Sequence, residues 1–288
     1  MRVAVVGGGR VGTAVAVLLS RSGHRIVAVA GRTATAARAA TWLPGVPFLP
    51  ATEAAGLAEI VLVSVPDDAL GPVATELAEA GAVAAGTWVV HLSGAAGLDV
   101  LEPLRQLGAR RLAVHPLQTF PDVEGAVAAL PGCHVAVTAD DEEGSLLGER
   151  LAADLGATSF RLADDRRPLY HAAAVFASNY LVATSAVAER LFAEAGVPDP
   201  GAAMRPLQEA TLANVSRLGP VAALTGPAAR GDASTIARNL GALGSSAPDA
   251  VAAYVAMCRV ALDLAEQAGR LDAAGRAAVE AVLARWDG

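Results

Sequence analysis

The sequence contains no lysine, since all 22 of its basic residues are arginine. This absence excludes a Schiff-base lysine, a Walker-type phosphate-binding lysine and a lysine general acid. Cysteine is nearly absent as well. The two cysteines, Cys133 and Cys258, form no CxxC pattern, so we expect neither a disulfide framework nor a zinc site, and we expect a reducing compartment.

Basic charge is also in short supply, since 29 acidic residues outnumber 22 arginines and give a net charge of -7. This balance argues against nucleic acid and anionic membranes as partners, because both are bound through an excess of basic residues. The charge-free stretch 172–188 is shorter than the ~20 apolar residues of a membrane span. The chain starts with a strand-like run and glycines instead of a signal peptide, so we expect a cytoplasmic location.

What the sequence has in quantity is alanine, with 68 residues, and over the first 162 residues helical stretches alternate with short apolar runs. Continuous apolar runs of this length are typical of parallel strands buried on both faces. Their alternation with helices predicts a doubly wound, mainly parallel α/β sheet. The predicted strands are 2–6, 25–30, 59–65, 87–92, 111–115, 134–138 and 158–162.

The pattern changes at residues 164–168, and beyond them we find helical stretches but no convincing strand. Proline and glycine separate these stretches, as expected between neighbouring helices. We therefore predict an NADP-binding Rossmann domain over 1–163 and an all-α domain over 164–288. The predicted helices are 169–195, 200–217, 234–243, 248–268 and 273–286.

The first strand leads directly into the motif G-x-G-x-x-G. In such a turn Gly7 permits the tight bend, Gly9 lets the backbone approach a pyrophosphate, and Gly12 lets the helix pack on the strand. The helix that follows opens with Arg10 and Val11, whose amides would face the phosphates at the positive end of the helix dipole. The motif in this context predicts a dinucleotide site, and the alternative is glycines that serve close packing only.

The second strand ends at Ala30 and is followed by Gly31, Arg32 and Thr33. Sites for NAD carry an acidic residue here to accept the ribose 2′-hydroxyl, and this chain has none. The Arg32 guanidinium and the Thr33 hydroxyl can instead bind a 2′-phosphate, so NADP is the predicted cofactor. In the alternative interpretation, Arg32 is a solvated charge and Thr33 caps the next helix.

Residues beyond the other strand ends are candidate site residues, because ligands of open α/β sheets lie at the carboxyl ends of the strands. Val65 and Pro66 end and follow the third strand, Ser93 follows the fourth, and we predict that these three contact the cofactor. His91 and His115 occur at the ends of the fourth and fifth strands. His115 is the stronger catalytic candidate because polar residues follow it in the same loop, although either ring could be structural.

A polar stripe marks the first predicted helix of the second domain. His171 and Ser178 are seven residues apart and so share a helical face, and Asn179 lies on the adjacent side. We predict catalytic or substrate-binding roles for these three, with a hydrogen-bonded core histidine as the alternative for His171. Farther along, Arg230 could clamp an anionic substrate, or it could pair with Asp232 and fix a glycine-rich turn.

Taken together, the motifs GGGRVG, AGRT, VSVPDDAL, HLSG, HPLQTF, HAAAVFASNYLV and LTGPAARGD resemble the Rossmann-like proteins with a C-terminal domain of unknown function 2520. The resemblance runs along nearly the whole chain. The wider architecture is similar to the 6-phosphogluconate dehydrogenase-like superfamily, which includes pyrroline-5-carboxylate reductases, prephenate dehydrogenases and ketopantoate reductases. This resemblance implies NADP in the first domain, a helical second domain that often forms homodimers, and an active site in the cleft between them.

One departure from these relatives affects the chemistry. Several hydroxyacid dehydrogenases and ketopantoate reductases place a catalytic lysine near the start of the second domain, with asparagine one turn later, where this chain has His171 and Val175. Another proton donor is needed, and His171 or His115 suits neutral pH. The sequence thus predicts an NADP-dependent oxidoreductase for a small, anionic carbonyl or imine substrate. Two alternatives stay open: a non-catalytic NADP-binding sensor or scaffold, and hydride exchange between NADP and a second redox cofactor such as a deazaflavin.

Overall fold

The computed structural model describes residues 1–287, and the chain divides into two compact units, Met1–Asn179 and Tyr180–Gly288. The first helix after the last strand therefore packs with the first unit. The domain boundary predicted between residues 163 and 164 rests on the sequence pattern and not on compactness, and it stays a prediction.

Seven strands form the sheet of the first unit: β1 (Arg2–Val6), β2 (Arg25–Ala30), β3 (Ile60–Val63), β4 (Trp88–His91), β5 (Arg110–Leu117), β6 (His134–Ala139) and β7 (Thr158–Arg161). Their order is β2-β1-β3-β4-β5-β6-β7, and neighbours run parallel except for β5 and β6, which pair antiparallel. The predicted strands and the doubly wound, mainly parallel sheet are confirmed. Val65, predicted as the last residue of the third strand, lies in the loop after β3.

The sheet is buried on both faces because side chains alternate along each strand. In β1, Val3 and Val5 join the apolar cluster on one face, whereas Ala4 and Val6 join the cluster on the other. Burial on both faces requires apolar residues at consecutive positions, which is why the strands appear in the sequence as unbroken apolar runs.

Helices connect the strands of the first unit and cover both faces of the sheet. Two of them begin at an aspartate whose carboxylate accepts a backbone amide of the first turn: Asp122 accepts from Gly125 and Asp141 from Gly144. The helices are α1 (Arg10–Arg21), α2 (Thr33–Trp42), α3 (Ala51–Gly56), α4 (Asp67–Glu79), α5 (Glu102–Arg105), α6 (Val123–Ala129), α7 (Glu142–Asp154) and α8 (Arg167–Ala177), with 3₁₀ turns at Leu98–Leu101 and Asp164–Arg166.

The sheet has a topological switch point at β1, because β2 lies on one side of it and β3 on the other. Open α/β sheets bind ligands in the crevice at the carboxyl ends of such strands. Since β1 to β5 are parallel, their carboxyl ends meet at one edge of the sheet. The fold therefore gathers the loops that carry most of the predicted site residues.

The rest of the described chain is helical: α9 (Asn179–Glu194), α10 (Pro200–Leu218), α11 (Pro220–Ala223), α12 (Ala233–Ser246), α13 (Val251–Gln267) and α14 (Ala273–Leu283), with 3₁₀ turns at Ala228–Arg230 and Pro248–Ala250. The predicted all-α second part is confirmed. Ile236 and Leu240 of α12 pack with Leu262 of α13 and Leu283 of α14. In contrast, α9 and α10 contain no buried residue. No helix within residues 1–287 combines the length and apolarity that a membrane span needs.

The single helix predicted over 169–195 is wrong, because the structure contains two helices there. Helix α8 ends at Ala177 and α9 begins at Asn179, and Ser178 between them has φ of -128° and ψ of -68°. Serine and asparagine side chains compete for backbone hydrogen bonds and favour helix ends over helix interiors. The helical face that His171 was expected to share with Ser178 therefore ends before Ser178.

Candidate functional site

The glycine turn between β1 and α1 is tightly packed at two positions and open at a third. A Cβ on Gly12 would lie 2.7 Å from the Cβ of Ser64, and Gly7 has a φ of 90°, so both positions require glycine. A Cβ on Gly9 would meet only the Gly7 carbonyl oxygen, at 4.0 Å. The turn is therefore open at Gly9, where this motif approaches a pyrophosphate.

Helix α1 presents its first amides at this open side. Its N-cap residue is Gly9, which has no side chain to cap the helix, and no acidic residue lies in the first turn. The amides of Arg10, Val11 and Gly12 consequently have no side-chain acceptor within residues 1–287, and the helix dipole adds positive potential there. These features fit the pyrophosphate of a dinucleotide.

Arg38, which was not predicted from the sequence, stabilises the glycine turn through a hydrogen bond. Its Nη1 donates to the Gly8 carbonyl oxygen at 2.9 Å, and the Thr13 hydroxyl donates to the same oxygen at 3.1 Å. Arg38 and Arg10 also line one surface pocket of about 360 Å³. The signal available in the sequence is a second arginine in the helix that follows Arg32.

Arg32 and Thr33 are exposed at the start of α2. Arg32 is the N-cap residue and Thr33 is the first helical residue, so the alternative interpretation in which Thr33 caps the helix is wrong. Within residues 1–287 the Arg32 guanidinium forms no hydrogen bond or ion pair with the protein. It is thus available to an anionic ligand, and its contact with a cofactor stays a prediction.

The three predicted cofactor contacts at the other strand ends differ in their surroundings. The Cγ1 atom of Val65 would lie 2.5 Å from a Cβ on Gly7, so Val65 packs against the glycine turn. Pro66 is exposed at the N-terminus of α4. Ser93 is buried, and its hydroxyl oxygen accepts hydrogen bonds from two amides of its own loop. The Ser93 hydroxyl therefore shapes the loop, and cofactor contact stays a prediction for all three residues.

Two predicted catalytic histidines, His115 and His171, converge on the loop after β4. A Cβ on Gly94 would lie 2.7 Å from His171 Nδ1 and 2.8 Å from His115 Nε2. The two rings are nearly perpendicular, with centroids 6.4 Å apart. Gly94 therefore lets both ring edges approach the backbone where any side chain would collide with them. Sequence reasoning identified both histidines but not the role of Gly94.

Burial changes the pKa of two histidines near this loop, His91 and His115. Burial, assisted by the positive charge of Arg167, lowers the pKa of His115 to about 4. The same two causes lower the pKa of His91, the last residue of β4, to about 3, although the backbone of Gly97 opposes the shift. Both His91 ring nitrogens and His171 Nδ1 are buried without a hydrogen-bond partner among the described residues. His115 is therefore a neutral ring near pH 7, able to donate at one nitrogen and accept at the other.

Arg167, which sequence reasoning also missed, is a fully buried cation close to this cluster. Its guanidinium donates to the Ala96 carbonyl oxygen at 2.5 Å, to Thr138 Oγ1 at 2.9 Å and to the carbonyl oxygen of Ser93. No carboxylate of residues 1–287 forms an ion pair with it, and burial lowers its pKa. These bonds fix the start of α8 to the loop after β4 and to β6.

Tyr170 is a third residue that sequence reasoning missed. Its hydroxyl lies 2.8 Å from His115 Nδ1, and its ring packs edge-on against His115 and Phe160 with centroid distances of 5.5 and 5.9 Å. The positions of Arg167, Tyr170 and His171 place all three side chains on one face of α8. This spacing in the sequence is the signal that could have linked them.

The remaining predicted site residues lie at the end of the first unit and in the second. Ser178 is half-buried in the break after α8, and Asn179 is exposed. Arg230 is exposed, and the alternative in which it pairs with Asp232 is wrong, because the Asp232 carboxylate caps α12 by accepting from the Thr235 amide and hydroxyl. Within residues 1–287 Arg230 forms no hydrogen bond or ion pair. Substrate contact stays a prediction for these three.

Comparison with known families agrees with this architecture. Residues 1–116 match the Rossmann-like domain, and residues 133–261 match the domain of unknown function DUF2520. No curated protein sequence matches the chain at a significant level.

Several solved structures share the fold at low sequence identity. A candidate NADP oxidoreductase from Bacteroides fragilis is 24% identical with a TM-score of 0.73, over 93% of this chain and 97% of that one. A protein from Thermotoga maritima is 21% identical with a TM-score of 0.69, over 92% and 98%. The 1-pyrroline-5-carboxylate reductase of Streptococcus pyogenes is 14% identical with a TM-score of 0.61, over 93% and 98%. The chain therefore combines a Rossmann-like domain with a DUF2520 domain, and it shares its fold with these three structures.

Proposed function

We propose that this chain is an NADP-dependent oxidoreductase that transfers hydride to or from a small, anionic carbonyl or imine compound. The observation that carries the proposal is the convergence of His115 Nε2 and His171 Nδ1 beside Gly94. Gly94 follows β4 at the same edge of the sheet where β1 ends in the uncapped glycine turn. A dinucleotide site and proton-transferring groups at one sheet edge are what nicotinamide-dependent reduction requires.

The residues around the glycine turn suit NADP better than NAD. The uncapped amides that open α1 would hold the pyrophosphate, and Val65 and Pro66 would lie beside the ribose. The exposed Arg32 and Thr33 would bind the 2′-phosphate where an NAD site carries a carboxylate. When bound, NADPH supplies the hydride, while the protein supplies orientation and a proton.

The proton has to come from a residue other than lysine, because the chain contains none. His115 and His171 are the candidates, since a neutral imidazole can donate a proton from one ring nitrogen and accept a proton at the other. A donor placed beside the substrate also stabilises the negative charge that develops on oxygen as the carbonyl carbon accepts hydride. His171 Nδ1, buried without a partner in residues 1–287, has its hydrogen-bonding capacity left for a ligand.

Positive charge in the cluster favours an anionic substrate. The buried guanidinium of Arg167 forms no ion pair within the described chain, and its charge lowers the pKa of His115. Arg230 of the second unit is an exposed arginine, also unpaired within residues 1–287. A guanidinium can bind a carboxylate through two parallel hydrogen bonds. We therefore assign Arg230, together with Asn179, to orienting the substrate.

Two similar structures support this reaction class. The Bacteroides fragilis protein is described as a candidate NADP oxidoreductase. The Streptococcus pyogenes enzyme reduces 1-pyrroline-5-carboxylate, whose name describes a cyclic imine with a carboxylate. The first description agrees with an NADP-dependent oxidoreductase, and the second agrees with a reductase for a small anionic imine.

We further propose that the chain is a homodimer formed mainly through the helices after residue 165. Helices α9 and α10 contain no buried residue, yet α10 exposes Leu207, Leu212, Val215 and Leu218. An apolar surface of this kind is normally covered in a soluble protein. A second copy of the chain would cover it and bury upwards of ~2,000 Å², as permanent dimers do.

Binding and oxidation of NADPH by the purified chain test the proposed reaction. NADPH oxidation is followed with 2-oxo acids and with cyclic imino acids, and the neutral amide of each compound serves as its control. We expect oxidation with at least one anionic class and little with its amide. Tight NADPH binding without oxidation would contradict the proposal and favour a sensor or scaffold. Oxidation that occurs only with a deazaflavin acceptor would favour the second alternative.

The variant His171→Gln tests the catalytic use of the cluster once a substrate is known. We expect NADPH affinity to be retained and turnover to fall by about 10²–10⁴-fold, the loss expected when a group that donates a proton or a hydrogen bond to the reacting oxygen is removed. Unchanged turnover would leave His115 as the only catalytic histidine. Loss of folding or of NADPH binding would show that His171 is structural.

A further inference from the structure

Tyr170 has no role in the reaction described so far, yet its hydroxyl lies 2.8 Å from Nδ1 of a candidate catalytic histidine, His115. We propose that Tyr170 is a positioning residue that fixes His115 as the Nε2–H tautomer and relays a proton through it to the space beside Gly94. The proton relay rests on the proposed function, because that function supplies the reaction in which the proton is used. The direction of the hydrogen bond, however, can be measured without any reaction.

The chemistry of the two groups determines the direction of this hydrogen bond. A phenol is a stronger donor than a neutral imidazole N–H, and an imidazole nitrogen is a stronger acceptor than a phenol oxygen. Burial raises the pKa of Tyr170 to about 12, so its hydroxyl keeps the proton, and the pKa of His115 of about 4 keeps that ring neutral. Tyr170 therefore donates to Nδ1, and the ring proton of His115 resides on Nε2.

The surroundings hold Tyr170 in this geometry. Its ring packs against Phe160 of β7 as well as against His115. One turn earlier in α8, the Arg167 guanidinium is fixed by three acceptors on β6 and the loop after β4. The helix face that bears Tyr170 and His171 is thereby fixed relative to Gly94, as a preorganised donor requires.

Two protons move in the same direction in the relay. When the carbonyl carbon of the substrate accepts hydride, the π electron pair of the C=O bond becomes a lone pair on oxygen. The Nε2–H bond of His115 breaks as the substrate O–H bond forms, and the Tyr170 O–H bond breaks as an Nδ1–H bond forms. His115 stays neutral and Tyr170 becomes a phenolate. Arg167, whose charge lowers the pKa of Tyr170, stabilises that phenolate until a proton from solvent restores it.

The test is ¹⁵N NMR of the histidine rings in the unliganded full chain, with His115→Gln used to assign the His115 signals. In the unmodified chain we expect Nε2 to be protonated and Nδ1 to have the shift of a hydrogen-bond acceptor. Tyr170→Phe keeps the ring but removes the hydroxyl, so the Nδ1 resonance should move towards that of a free acceptor and the Nδ1–H tautomer should appear. Tyr254→Phe is the matched control, because the Tyr254 hydroxyl accepts from Asn239 in the second unit. It should leave the His115 signals unchanged.

An Nδ1–H ring in the unmodified chain, or a His115 spectrum unaffected by Tyr170→Phe, would overturn the inference. With an identified substrate, Tyr170→Phe should lower kcat by about 10²-fold at unchanged KM, the lower end of the range for proton-transfer groups. An unchanged kcat would overturn the relay. If no anionic carbonyl or imine is reduced, the proposed function fails, while the tautomer result still decides the hydrogen bond between Tyr170 and His115.

Discussion

The guanidinium of Arg167 donates a hydrogen bond to the backbone carbonyl of Ser93, 74 positions earlier in the chain. This bond places a permanent positive charge next to the loop that carries Gly94. Two nearby histidines have lowered pKa values. Burial, followed by the charge of Arg167, lowers the pKa of His91 to about 3 and that of His115 to about 4. A folded state that keeps these rings neutral should lose stability in acid.

We expect the free energy of unfolding to fall as the pH drops from 6.5 towards about 3. In this range unfolded His91 binds a proton that folded His91 does not bind. The free energy of unfolding therefore falls by up to about 1.4 kcal/mol per pH unit for this one group. His91→Leu removes this titration together with two buried ring nitrogens that have no hydrogen-bond partner in the described part of the chain. The variant should therefore depend less on pH and should be no less stable near neutral pH. Urea unfolding at a series of pH values measures both effects.

His134→Leu is the matched control for this experiment, because His134 is exposed at the start of β6. It should keep the pH dependence of the unmodified chain. The same pH dependence in His91→Leu would mean that His91 is not held neutral in the folded state.

Arg32→Ala should weaken NADPH binding by about ten- to hundredfold and leave NADH binding nearly unchanged. The reason is the loss of one charge-assisted contact with the 2′-phosphate, worth ~1.5–3 kcal/mol. Titration calorimetry with both cofactors measures the effect. Arg25→Ala, at the opposite end of β2, is the control and should alter neither affinity. Equal affinity of the unmodified chain for NADPH and NADH would refute the choice of NADP.

Leu207→Arg should convert the proposed homodimer into a monomer. The Leu207 side chain is 62% exposed on α10, where a second copy would cover it, and a buried, unpaired arginine is costly in an interface. Light scattering at micromolar concentration measures the oligomeric state. Leu146→Arg is the control, because Leu146 is 54% exposed on α7 in the first unit, and this variant should remain dimeric. A monomeric unmodified chain would contradict the proposed dimer.

The parts of this structure that could be predicted from the sequence are those encoded by local pattern. Buried parallel strands are unbroken apolar runs, and the glycines at positions 7, 9 and 12 carry the turn between β1 and α1. The break at Ser178 was not predictable from periodicity, because the apolar pattern continues through it while the local backbone preference changes. Apolar periodicity indicates which residues share a helical face, and a one-residue break in the helix does not change that periodicity.

The candidate site was harder to predict because its contacts join distant segments. Tyr170 lies 55 positions after its partner His115, and Arg167 lies 71 positions after its acceptor Ala96. Helical spacing places Arg167 and Tyr170 on one face of α8. Which loop lies against that face is determined by the packing of the whole first unit. A glycine such as Gly94, with no positive φ to explain it, is recognisable as a site residue only when its neighbours are known.

The location of the reaction centre beside Gly94 is tested most directly by the kcat of Gly94→Ala at saturating NADPH and substrate. The added methyl group would lie 2.7 Å from His171 Nδ1 and 2.8 Å from His115 Nε2, so both rings must move. A displacement of about 1 Å can cost about 10²-fold in rate. Gly71→Ala in α4 is the matched control and should keep the original kcat, because a Cβ there meets no atom of residues 1–287 within 4 Å apart from the adjacent residues and the backbone of its own helix. We predict a kcat about 10²-fold lower for Gly94→Ala, with the circular dichroism spectrum and NADPH affinity retained. An unchanged kcat in the folded Gly94→Ala variant would contradict a reaction centre at this position.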